Sequence, residues 1–227
     1  MPLAGKGMLL TSMDVDAADE AEFNRWYDRE HLEERVAIDG FLEARRYIAH
    51  KANPKYLCLY STTDIEVLDS APYRARLDSP TDWSKQTMAR FKNMIRAAAR
   101  ITVSRGQGRG AALGIVRLRS AAGSEDKLRA TLREKLDPAK RDGIVSMHLL
   151  ESDPRLSGPT SEIPAAASPG AADWFVLVDG VNVNAVSGAI ASSFDIPSSQ
   201  GTPVSAGSYN LMWDLAKSDI APAPVNA

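Results

Sequence analysis

Residues 22–47, EFNRWYDREHLEERVAIDGFLEARRY, pass from one periodicity to another, and that change decides the fold. Phe23, Trp26, Tyr27, Glu30 and Glu34 fall on one stripe of a helical wheel, with His31 beside it, one turn after Tyr27. Past Gly40 the run FLEARRY changes to the alternation of a strand. Upstream, GMLLTSMDV is a strand, and the helix after it is opened by Asp16, with Asp19 and Glu20 in its first turn. Downstream, KYLCLYSTT is a further strand across Asn53-Pro54. Ser79 as cap, Pro80 as first residue and Asp82 open a second helix whose Trp83, Thr87, Met88, Phe91 and Ile95 share one face, and AAARITVSRG is the closing strand. The order is βαββαβ, the ferredoxin-like arrangement of a four-stranded antiparallel sheet with both helices on one face.

The same order returns after the glycine cluster RGQGRGAALG, which carries no apolar period and reads as a junction. LGIVRLRSA is a strand, SEDKLRATLREKL a helix capped by Ser124, then come the strands GIVSMHLLES and DWFVLVDG, the weak helix NAVSGAIASSF and the strand GSYNLMWDLA. Gly40-Phe41 has its counterpart in Gly143-Ile144, Phe23 in Leu128, and Leu57 in Phe175. The fold class expected is therefore α+β: tandem ferredoxin-like halves over residues 1–106 and 107–218, with a mobile Pro/Ser/Ala-rich insertion at 153–173 and a flexible tail at 219–227. The bare face of each sheet needs cover, from the other half or from a second copy of the chain, so a homodimer is one expected assembly.

Composition narrows the function classes. Over 227 residues, 44% are hydrophobic and 25% charged, with a net charge of -2, an ordinary core-forming chain without the basic footprint of a nucleic-acid or anionic-membrane binder. The apolar run near the N-terminus is too short for a signal-peptide core or a membrane span, which predicts a cytoplasmic protein. The single cysteine, Cys58, lies in an apolar strand and reads as inert packing, and the three histidines show no metal-ligand spacing. GQGRG lacks the Lys-Ser/Thr ending of a phosphate loop, and no nucleophile elbow is present.

The aromatic pair Trp26-Tyr27, His31 four residues after Tyr27, Gly40-Phe41 with the following RRY, and SPTDWSKQTMARFKNM opened by Trp83 resemble the dimeric α+β barrel superfamily, especially its EthD-like members. Asp39 stands where those proteins often have proline. The resemblance covers Gly7 to about Arg105 and implies a cavity. The reactions it spans include cofactor-independent monooxygenation, lactone isomerisation, polyketide cyclisation and haem-dependent aldoxime dehydration.

Within that frame His31 is the candidate proton carrier, since an imidazole accepts and returns protons near neutral pH, with Glu30 or Glu34 to orient it. Arg45 and Arg46 are neighbours on a strand, so one of them faces the cavity and can stabilise an enolate or phenolate. Trp26, Tyr27, Phe41, Tyr47 and Trp83 are the candidate substrate-binding walls. The corresponding positions of the second half are Thr131, Leu132 and Leu136, which assigns the site to the first half. His50 is expected in solvent, His148 buried or at the surface, and Trp174 and Trp213 in packing roles.

Three functions follow. The first is a cofactor-free, metal-free enzyme (isomerase, cyclase or monooxygenase-like) acting on a small apolar carbonyl or phenolic ligand. The second is a non-catalytic binding or assembly protein of the same fold. The third is a haem protein with His31 as axial ligand.

Overall fold

The computed structural model describes residues 3–158 and 170–220. The first half contains β1 (Gly7–Asp14), α1 (Glu20–Trp26), a π-helical turn (Tyr27–His31), α2 (Leu32–Val36), β2 (Phe41–Lys51), β3 (Tyr56–Thr62), α3 (Ala71–Asp78), α4 (Asp82–Met88) and β4 (Lys92–Gly106). The second contains β5 (Ala112–Ser120), α5 (Glu125–Lys135), β6 (Ile144–Ser152), β7 (Trp174–Gly180), α6 (Val183–Ser193) and β8 (Gly201–Ala216). The expected βαββαβ order is present twice.

The strands close into one barrel in the order β1-β3-β2-β8-β5-β7-β6-β4, each pair antiparallel. Each half supplies a four-stranded sheet, and two seams join them. β2 pairs with β8, Arg45 opposite Asp214, and β4 pairs with β6, Ser104 opposite His148. Closure leaves no bare sheet edge, so the chain completes the barrel without a second copy.

Alternation along the strands then builds three cores. Met8, Leu10, Leu57, Leu59, Phe175 and Leu177 fill the barrel interior. Phe23, Trp26, Tyr27, Tyr60 and Tyr73 lie outside it, beneath the first-half helices, and Leu128, Leu132, Trp174, Val176 and Val186 beneath those of the second. No described helix is long and apolar enough to cross a membrane. Cys58 is free and buried, its thiol pushed up to about 12 by desolvation, in keeping with a packing role.

Several boundaries differ from expectation. α1 starts at Glu20, after Asp19 rather than Asp16. Ser79 ends α3, and Thr81 caps α4 by accepting the Ser84 amide at 3.0 Å. β4 begins at Lys92, inside what reads as helix, because two rows overlap there. Met94, Arg96 and Ala98 face the helices while Ile95, Ala97 and Ala99 face the interior, and Met88, Phe91 and Ile95 mimic a helical period. The mobility expected of the insertion concerns residues of which 159–169 lie outside the described set, as do 221–227 of the tail.

Candidate active site

The π-helical turn creates the central contact. The Leu32 amide bonds the Tyr27 carbonyl, five residues back, which widens the turn. Residues five apart on a regular α-helix point about 140° away from each other. Here Trp26 and His31 instead stack face to face, centroids 4.1 Å apart at 26°. Glu30 holds the indole in place. One of its oxygens accepts from Trp26 Nε1 at 3.1 Å, from Ser84 Oγ at 2.9 Å and from Thr81 Oγ1 at 2.7 Å, tying the first turn of α4 to α1.

Between these helices and the outward faces of β1, β3 and β4 lies a narrow cavity that opens to solvent. His31, Trp26 and Tyr27 line one side, Thr11, Met13 and Tyr60 the floor, and Arg35, Arg96 and Tyr73 the far wall. His31 Nδ1 is buried with no hydrogen-bond partner among the described residues; the nearest carboxylate oxygen, on Glu34, stands 4.0 Å away, outside hydrogen-bonding range. Burial, reinforced by the charges of Arg35 and Arg46, holds the His31 pKa well below its ordinary value, so the imidazole is neutral at physiological pH. Desolvation raises the Tyr27 and Tyr60 phenols, which stay protonated. The cavity thus places a neutral base and protonated hydroxyls beside two guanidinium groups, of which Arg96 already donates to the Leu156 carbonyl at 2.6 Å and to the Tyr73 hydroxyl at 3.4 Å. A ligand with an acidic C–H or O–H can give its proton to His31 while cationic groups face the anion that forms.

The other expected site residues are dispersed. Arg46 points to the helix side but is spent beneath Tyr27, 4.0 Å from the ring centroid, donating to Asn24 at 2.7 Å and Asp28 at 3.2 Å. Arg45 and Tyr47 face the opposite way, into the barrel. There Arg45 meets Asp179 at 3.4 Å and Glu43 at 3.8 Å, and Arg109 of the glycine-rich junction reaches the other Glu43 oxygen at 2.6 Å. Neither Arg45 nor Arg46 borders the His31 cavity, a correction to the expectation that one of them does. Phe41 packs behind the wall against Tyr73, and Trp83 donates to Glu22 at 2.8 Å outside the cavity. The arginines that do line it, Arg35 and Arg96, went unnoticed in the sequence, as did Tyr60. Tyr60 was recoverable, since Tyr56, Cys58 and Tyr60 alternate on one strand face.

His50 is exposed. His148 is buried in the barrel, between Ser104 Oγ at 2.8 Å and Ser146 Oγ at 3.0 Å, its pKa lowered to about 3 by burial and by Arg45. Trp174 is buried in the second-half core, and Trp213 donates to Asp28 at 2.9 Å. Leucines 128, 132 and 136 fill the place under α5 that the cavity occupies under α1. Among the described residues no cluster of His, Cys, Asp or Glu is arranged to hold a metal ion. A haem on His31 does not fit this arrangement: the space beside the ring is a narrow cavity enclosed by Met13, Trp26, Tyr27, Tyr60 and Tyr73, without the broad slot a porphyrin needs.

These features define the class: the chain has the ferredoxin-like, dimeric α+β barrel fold, with both halves of the barrel in one polypeptide. No family model matches it, and no curated protein does. Among solved structures it is similar to an anthrone oxidase-like protein (TM-score 0.65, 10% identity, 96% of each chain covered). It is also similar to a candidate monooxygenase of Fusobacterium nucleatum (TM-score 0.59, 6% identity, 95% of this chain and 96% of that one). A candidate chlorite dismutase shares the fold as well (TM-score 0.52, 9% identity, 92% and 95%).

Proposed function

We propose that this protein is a cofactor-independent enzyme that removes a proton from a small, largely apolar carbonyl or phenolic compound, with His31 as the base. The observation that carries this reading is the unpartnered, neutral His31 Nδ1 in a cavity of the first half whose counterpart in the second is packed with leucine. Nδ1 takes the proton. The imidazolium formed lies against the face of Trp26, with Glu34 nearby, while Arg35 and Arg96 offset the charge of the substrate anion. Because the base is weak in the empty cavity, transfer is effective only once the developing anion sits beside it, which favours the bound substrate over bulk water. Returning the proton at another atom gives an isomerase or cyclase. Capture of the carbanion by dioxygen gives a monooxygenase-like reaction.

Anthrone is the probe of choice: the fold is shared with an anthrone oxidase-like protein, and anthrone's methylene, flanked by two aryl rings, loses a proton to give an anthrolate. Its oxidation balances as anthrone plus dioxygen to anthraquinone plus water. Oxygen uptake and anthraquinone absorbance are measured for wild type and His31→Ala, with a hydroxynaphthoquinone as binding control. The variant is expected to keep its fold and lose about 10²-fold or more in turnover. Equal rates in the two proteins would remove His31 from the chemistry. Binding without turnover in both would favour the ligand-binding alternative.

A further inference from the structure

We infer that the barrel interior holds a second ligand site, separate from the His31 cavity, that takes a small apolar carboxylate. At one end the interior is closed by the buried ionic group of Arg45, Glu43 and Asp179, with Arg109 over it. Apolar side chains fill the middle. The other end is open: a narrow cleft at the mouth is lined by Leu57, Ile95, Ile115 and Phe175. An eight-stranded barrel has just room for its own side chains or one small ligand, and here Gly207 and Ser205 of β8 leave the mouth unfilled.

The polar atoms of the wall are largely satisfied within the protein. Ser12 donates to the Tyr56 carbonyl at 2.8 Å, and Tyr209 to the Pro54 carbonyl at 2.9 Å. Arg117, one alternation outward from Ile115, is the charged residue of that wall. Its Nε bonds Asp173, and its two terminal nitrogens make no hydrogen bond among the described residues. Asp173 does not depend on it, because Arg119 also reaches both carboxylate oxygens, at 2.8 and 3.3 Å. Two guanidinium groups therefore share one carboxylate, leaving a net positive charge beside an apolar cleft. A group with a planar anion and an apolar body matches both features: the carboxylate meets the Arg117 fork, and the body lies between Ile95, Ile115 and Phe175. Neither feature depends on the reaction assigned to His31.

Methyl NMR separates the two cavities, since Ile95 and Ile115 line the barrel mouth whereas Met13, Met88 and Met94 line the other. Octanoate is titrated into the full chain carrying labelled isoleucine and methionine methyls, with octanol as neutral control. The expected result is saturable movement of the Ile95 and Ile115 methyls, with octanoate bound at least about tenfold more weakly by Arg117→Met and octanol unchanged, a difference of about 1.4 kcal/mol. Ser205→Trp, introduced at an exposed position, should weaken both ligands by narrowing the mouth. Movement confined to the Met13, Met88 and Met94 methyls, no saturation by octanoate, or equal octanoate affinity in wild type and Arg117→Met would each overturn the inference.

Discussion

Acidification from pH 7 to pH 5 should destabilise this protein through two histidines that the fold keeps neutral. His31 and His148 are buried, and desolvation lowers the pKa of each, His148 to about 3. In the unfolded chain both titrate near 6.5. Above that pH neither state binds the proton and the histidines add no pH dependence. Below it the unfolded chain takes up protons that the folded chain refuses, so stability falls from about pH 6.5 downward, and for His148 goes on falling until its folded pKa is reached. The limiting slope is about 1.4 kcal/mol per pH unit for a histidine, and for His148 integration from pH 7 to pH 5 gives about 2 kcal/mol, to which His31 adds in the same direction. Asp179, whose pKa burial raises, acts in the opposite sense as the carboxylate range is approached, so the comparison stops at pH 5. Urea unfolding followed by circular dichroism at pH 7, 6 and 5 gives the slope, and His31→Gln and His148→Gln should each reduce it whatever their stability at pH 7. A wild-type protein equally stable at pH 7 and pH 5, or variants that keep the full slope, would refute the assignment of both rings as neutral and desolvated.

Two further outcomes follow from the packing. Arg46→Met should lower stability by about 2–4 kcal/mol, since it removes a cation–π contact and charge-assisted hydrogen bonds to Asn24 and Asp28 while keeping an apolar stem; calorimetry should show a fall in Tm of roughly 5–15 °C. Leu132→Ala opens a void in the fully packed second-half core and should cost about 2–5 kcal/mol in denaturant unfolding, with anthrone affinity at the first-half cavity unchanged.

The element order was legible because its signals are local: a cap, a stripe, an alternation, a glycine. What was not legible depends on partners far along the chain. Alternation shows that Arg45 and Arg46 point to opposite faces, but which face is the barrel interior is set by the β2–β8 seam, between residues of different halves. The seam also converts two open sheets into a ring, which no single segment announces. Near the candidate site two local features misled. The π-helical turn moves His31 from a position beside the stripe into contact with Trp26, and periodicity assumes regular turns. The apolar residues before Ala97 satisfied a helical period and hid Arg96 in what proved to be strand. Cys58, by contrast, was legible, because an apolar strand buried on both faces treats a thiol as a small hydrocarbon.

The covalent joining of the two halves frees them from identity. In a barrel assembled from two copies of one chain, every substitution is inherited at both positions, so a histidine that serves one cavity must also be accommodated in the other. Here His31 and Leu136 occupy corresponding places and can be selected separately. One half keeps a polar cavity, with the unsatisfied atoms and lowered local stability that a cavity entails, while the other is filled by buried apolar side chains and steadies the shared ring of strands. Each barrel then carries one His31 site rather than two, and a change that loosens that site for a new ligand leaves the packing of the other half untouched.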